Sequence, residues 1–380
     1  MDIICFELKK IFNIKSIVLL VLINIIMYFL FIEFEVTHFP NGRPALDIYN
    51  MFVEMENTYG EFMDEEEFED FKLKYEEAVK EADEYIQSRK DFKMAGINNY
   101  EDFANMDHEN EELYELYSDV IFKKKIDVFW ELPWREEYIR YYENKEELML
   151  EPSSNEKQEL RIKEILDKGL ETSVFNDVIF SNYNEFIKSA AKTILLSVMF
   201  IITPIYLKDN KDKINYLQYT SKTGRKIFKK KIFAGVLASF ILVTVQFICF
   251  FIMYSTNNTS MFFNCNINSI YNSIISWYDL TFIQYIALTV IGTYILAFVF
   301  TLIPMLVSSI SKNYITAIGV QLPIALFSFT ILLKYLIDYM TSIFRFPKYF
   351  TGLFYMILIF ASTISMIIRW KREKRADILY

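Results

Sequence analysis

Two apolar runs, residues 190–207 and 232–253, flank a stretch that a membrane interior cannot hold: residues 208–231, KDNKDKINYLQYTSKTGRKIFKKK, with nine basic and two acidic side chains. At about 1.5 Å of rise per residue, each run is long enough to cross a hydrocarbon layer about 30 Å thick. The charged stretch therefore reads as a loop joining two membrane spans, and its Lys and Arg content keeps it on the cytoplasmic side. That assignment orients the rest of the chain.

Residues 1–15 put Ile4, Leu8, Ile11 and Phe12 on one helical face and Glu7, Lys9, Lys10 and Asn13 mostly elsewhere, as expected of an amphipathic helix in the inner interface. Residues 16–32 form a first span; no small-residue cleavage site follows, so it reads as uncleaved. Residues 282–307, 315–333 and 351–368 bring the spans to six. Residues 334–350 are too short and polar to cross yet too apolar for a free loop, so an outer-face or re-entrant segment is expected. The tail, 369–380, opens with five basic residues. Among short segments, the inner side then holds 18 basic residues and the outer side three, which predicts both termini inside a multi-pass protein of a cell membrane, of bacterial type.

The net charge of −9 hides a division. Residues 33–187 carry 41 acidic and 17 basic residues, and the remainder 8 and 23. Such asymmetry places the acidic block in another compartment. Phe68, Phe71, Tyr75, Ala78, Ala82 and Tyr85 recur at helical steps, and the block is long enough to bury a core, so it reads as a mostly helical extracytoplasmic domain. Pro133 and Pro152 are expected to punctuate it, and Ser153 with Glu156 to form a capping box. Residues 254–281, polar and aromatic without one basic side chain, read as an interfacial segment on the outer face. The fold class expected is all-α: six transmembrane helices, an N-terminal interfacial helix, and a large helical domain between helices 1 and 2.

Three cysteines without a CxxC pair and two isolated histidines support no disulfide framework, metal site or histidine acid–base site. There is no GxxxxGK[ST], GxSxG or HExxH sequence, so the chain is not expected to be an enzyme or to hold a nucleotide itself, and nothing points to nucleic acid.

This layout resembles the permease subunit of ABC-2-type exporters, and the resemblance is most specific in residues 216–235, YLQYTSKTGRKIFKKKIFAG, at Thr220, Ser221, Gly224, Arg225 and Lys231. It implies that the loop carries a coupling helix docking on a separate cytoplasmic ATPase through Tyr216, Leu217, Thr220, Ser221, Gly224, Arg225 and Lys226. It also implies that ATP and Mg bind in that partner, that a second permease copy or a homologue completes the pore, and that the substrate is amphipathic. Residues 208–213, KDNKDK, depart from the family's acidic, glycine-containing approach. The plainer reading of the loop is a topogenic charge cluster beside anionic lipid headgroups.

Asn24, Gln246, Gln284 and Gln321 are candidate pathway residues within spans; interhelical hydrogen bonding is the alternative role. Lys192 is placed to snorkel outward, and Pro204, Pro304 and Pro323 allow bends. The acidic domain attracts cationic peptides or is simply a solvated surface, with Trp130 and Trp134 in a groove or in its core. A rival function is a membrane sensor or immunity protein whose outer domain binds peptides without moving them.

Overall fold

The computed structural model describes residues 3–211, 214, 224 and 226–375, and it is all-helical. In chain order the helices used below are α1 (Ile3–Ile11), α2 (Ile14–Phe31), α3 (Glu33–Thr37), α4 (Ala45–Tyr59), α5 (Glu65–Ser88), α6 (Asp127–Glu143), α7 (Glu156–Asp167), α8 (Asp177–Ile202), α9 (Pro204–Lys211), α10 (Lys226–Tyr254), α11 (Phe282–Ile310), α12 (Tyr314–Phe327) and α13 (Phe350–Arg375). The chain forms two compact units. Unit 1 comprises Met1–Phe39, Asn182–Asn258 and Gln284–Tyr380; unit 2 comprises Pro40–Ser181 and Thr259–Ile283.

Among the described residues six helices are long and apolar enough to cross a membrane. The second, Asp177–Asp209, has 78 % of its apolar window buried, against 6 % for the first and 11 % for the last. The α8 helix is thus the axis on which unit 1 packs, while α2 and α13 turn most of their surface outward. Polar pairs pin the spans together: Tyr183 with Thr289 at 2.6 Å, Tyr285 with Asn184 at 2.7 Å, and Thr301 with Ser239 at 2.7 Å. Away from water such bonds have few competitors. At Gly292 a Cβ would lie 2.6 Å from the Tyr355 hydroxyl, so any larger residue in α11 would force that side chain of α13 to shift.

The expected 334–350 segment is divided. Beyond α12 the helix widens into the π turns Ser328–Leu332 and Lys334–Asp338, which complete the fifth span, and residues 339–349 then turn back to α13.

In unit 2, Asp64 and Glu67 form a reciprocal capping box that opens α5, whose Phe68, Phe71, Ala82 and Ile86 face inward. Two local expectations fail. The cap of α7 is Asn155, not Ser153: its side chain accepts from the Gln158 N–H at 3.2 Å, while the Gln158 side chain accepts from the Ser154 N–H at 2.7 Å. Pro133 does not punctuate; it lies inside α6 with its ring exposed, and lacking an N–H it removes one i→i−4 hydrogen bond without ending the helix.

Residues 254–281, expected as an interfacial segment on the outer face, differ from that expectation: from Thr259 to Ile283 the chain belongs to unit 2 and is largely buried in it. Tyr271 stacks on Tyr138 at 3.7 Å. Buried Asn268 donates to the Tyr278 carbonyl at 3.0 Å, and Asn272 to the Ile267 carbonyl at 2.7 Å, so asparagines supply the bonds that an irregular buried backbone needs. Cys265 is fully buried there, and burial pushes its thiol up to about 12. Asp279 fastens the segment to α7: it accepts from Arg161 at 2.5 Å and from Lys168 at 2.6 Å. Burial alone would raise this carboxyl, but Lys168 and Arg161 hold it below its ordinary value.

A carboxylate with a depressed pKa stabilises the fold above its unfolded value and loses that contribution as pH falls through the folded one. Asp279→Asn is therefore expected to lower stability near neutral pH by about 1 kcal/mol, at the low end because solvent screens a partly exposed group. Thermal unfolding of the two proteins should differ at pH 7 and converge in acid below the ordinary aspartate range.

Candidate functional site

The Thr203–Pro204 step breaks the second span and starts α9, which carries Asp209 into a wholly buried position. Lys231, one turn and a half into α10, is 2 % exposed and its ammonium contacts one Asp209 carboxylate oxygen. Lys10 of α1 reaches the other oxygen at 2.6 Å, and Glu7, itself buried, lies 3.4 Å from the Lys10 ammonium. Two cations and two anions thus neutralise one another where a lone ion would cost several kcal/mol.

Further contacts saturate the group. Lys231 donates to the Ile205 carbonyl at 3.3 Å and sits 5.2 Å from the Tyr206 ring centre. The Tyr206 hydroxyl donates to the Phe228 carbonyl at 3.2 Å, and the two rings stack. Arg369 of α13 lies over Phe228, and Lys229 over Trp370. The cluster therefore joins α1, α9, α10 and the last helix at one end of unit 1. A cleft of about 320 Å³ opens beside it, lined in part by Glu7, Lys10, Asn13, Pro204 and Lys208.

Of the residues expected to meet an ATPase, Tyr216, Leu217, Thr220, Ser221 and Arg225 lie outside the described residues. Gly224 has a φ of +48°, a left-handed turn conformation suited to glycine, and Lys226 begins α10 with an exposed side chain. The loop's charged flanks thus enclose the buried quartet.

The polar residues of the spans separate into three places. Gln246 donates to Asn24 at 2.6 Å and to Ser197 at 2.9 Å, tying α10, α2 and α8 at mid-depth. Its Oε1 is buried with no partner among the described residues. Gln321 accepts from Thr203 at 2.8 Å, beside the α8–α9 break. Gln284 is exposed at the start of α11. Asn24 and Gln246 share one site; Gln321 and Gln284 do not join it. Lys192 lies over the Phe31 ring at 5.4 Å.

Sequence reasoning passed over Glu7, Lys10 and Asp209. Glu7 and Lys10 look like the wet face of an amphipathic helix, yet Glu7 is on its packed face. Asp209 sits within KDNKDK, where surrounding lysines disguise it. The available signal was an acid two residues after an apolar span, mirrored by a lysine directly before the next. No family model matches the chain, and no curated protein or solved structure matches it.

Removing one member of a buried ion pair strands the other. Lys231→Met is expected to cost about 3 kcal/mol or more. Lys231→Met combined with Asp209→Leu leaves Lys10 its partner Glu7 and should recover most of the loss; thermal unfolding of both variants in the same detergent checks this.

Proposed function

We propose that this chain is the permease subunit of an ABC exporter, one half of a dimeric pore for an amphipathic substrate, with ATP and Mg bound by a separate cytoplasmic ATPase. The observation that carries the reading is the quartet Glu7–Lys10–Asp209–Lys231. It fixes both flanks of the basic loop and α1 to one another, so a push on the loop moves the second and third spans and α1 together. A rigid connection of that kind would carry a push on the loop into the spans, as a conformational drive requires.

Sidedness rests on charge. The Lys231, Arg369 and Lys10 side chains gather at one end of unit 1, and Glu35, Asn182 and Asn257 at the other, where Asn257 and Asn182 both donate to the Glu35 carbonyl at 2.9 Å. In this reading the positive-inside rule supports a cytoplasmic basic end with both termini, and an extracytoplasmic acidic unit 2. Gln246, Asn24 and Ser197, hydrogen-bonded to one another, act in this reading as interhelical ties that a change of packing must break.

Copurification of the full chain with an ATPase encoded beside it tests the reading. The complex is expected to turn over ATP, and Arg225→Glu to weaken association by about tenfold or more, a like-charge effect at a docked surface. Asp209→Asn should leave the ATPase bound but reduce transport. A chain that captures no ATPase removes the basis of the proposal.

A further inference from the structure

Unit 2 contains an open groove of about 860 Å³, within the size range of small-ligand sites. Its floor is aromatic: Tyr75, Tyr100, Phe103, Tyr117 and Phe129 line it. Phe103 stacks on Tyr117 at 5.5 Å and packs against Phe129 at 4.6 Å, so the floor is a continuous ring surface rather than scattered side chains. Trp130, by contrast, turns away, donating to the Ile121 carbonyl at 3.1 Å.

The rim is charged. Glu76, Glu101 and Glu136 line the groove against one ammonium, Lys80. None of the three carboxylates is ion-paired to a described residue, unlike Glu54 and Glu131, which hold Arg135. Tyr100 is 6 % exposed, and its hydroxyl is hydrogen-bonded to no described residue. Tyr75, Tyr100 and Glu136 line the same groove, and burial first, then the charge of Glu136, raises both phenols. Pro133, also on the wall, has no N–H and so leaves the Phe129 carbonyl without its helical donor.

We propose that this groove binds a basic amphipathic peptide, with its apolar side chains on the ring floor and a Lys or Arg side chain directed at Glu136. Unpaired carboxylates over aromatic faces suit an ammonium or guanidinium in two ways, by charge and by cation–π attraction. Unit 2 as a whole carries 39 acidic and 17 basic residues, a field that raises the local concentration of such a ligand. Only the groove's service to transport rests on the export reading; the binding chemistry follows from unit 2 alone.

The test uses the full chain in phosphatidylcholine nanodiscs without any ATPase. The probes are acetyl-Lys-Phe-Lys-Phe-amide and its charge-reversed counterpart, acetyl-Glu-Phe-Glu-Phe-amide, titrated by calorimetry. The lysine peptide is expected to bind at least about tenfold more tightly than the glutamate peptide, and more weakly as salt rises through physiological strength. Glu136→Gln, an exposed position that should leave the melting temperature unchanged, is expected to weaken binding by about tenfold, and Tyr100→Phe by about threefold. Equal affinities for the two peptides, undiminished binding by Glu136→Gln, or no binding at millimolar peptide overturns the proposal. Because no ATPase is present, such a failure leaves the export reading standing, and a chain that captures no ATPase leaves the groove standing.

Discussion

Asp209 accepts from two lysines that arrive from different helices, in a setting where an unpaired charge is too costly to keep. Lys10 brings α1, Lys231 brings α10, and the Asp209 backbone belongs to α9, so one carboxylate decides how three chain segments converge. Glu7 completes the neutrality. A hydrophobic contact in the same place would tolerate sliding; an ion quartet with directional bonds does not, and it fixes the register of α1 along α10.

The same accounting extends along unit 1. Polar groups buried in the spans appear as pairs with bond lengths of 2.6–2.8 Å, as in Tyr183 with Thr289 and Thr203 with Gln321. These two pairs involve α8, the most enclosed span, or the break at its end, whereas Thr301 with Ser239 joins α11 to α10; α2 and α13 remain largely exposed. Unit 2 uses the opposite economy. Its surface is densely acidic, its core is built from stacked rings, and its irregular 259–283 segment is held by asparagines and by Asp279.

Much of this was legible in the sequence, and the exceptions share a cause. The six spans follow from apolar run length, although the second helix starts at Asp177, ten residues before the end of the acidic block as read, because Asn182, Asn184, Glu185 and Lys188 dilute its first turns. The helical face of α5 followed directly from spacing. The Asn155 cap lay two residues from the expected one, since Ser, Ser and Asn in succession all suit an N-cap. What periodicity cannot reveal is pairing across distance. Lys10 and Asp209 are 199 positions apart, and the aromatic groove gathers rings from residues 75 to 129 that only the folded chain brings together. Residues 254–281 read as an interfacial segment because they mix polar and aromatic side chains without a basic one, whereas most of their buried polar groups are satisfied inside unit 2.

Sidedness is the claim on which the rest depends. In a background lacking Cys5, Cys249 and Cys265, single cysteines at Lys226→Cys and Glu136→Cys can be challenged in intact cells with a membrane-impermeant thiol reagent. The account predicts that Glu136→Cys reacts at once, whereas Lys226→Cys reacts only after the membrane is permeabilised. Labelling of both positions from the same side of the intact membrane would contradict it.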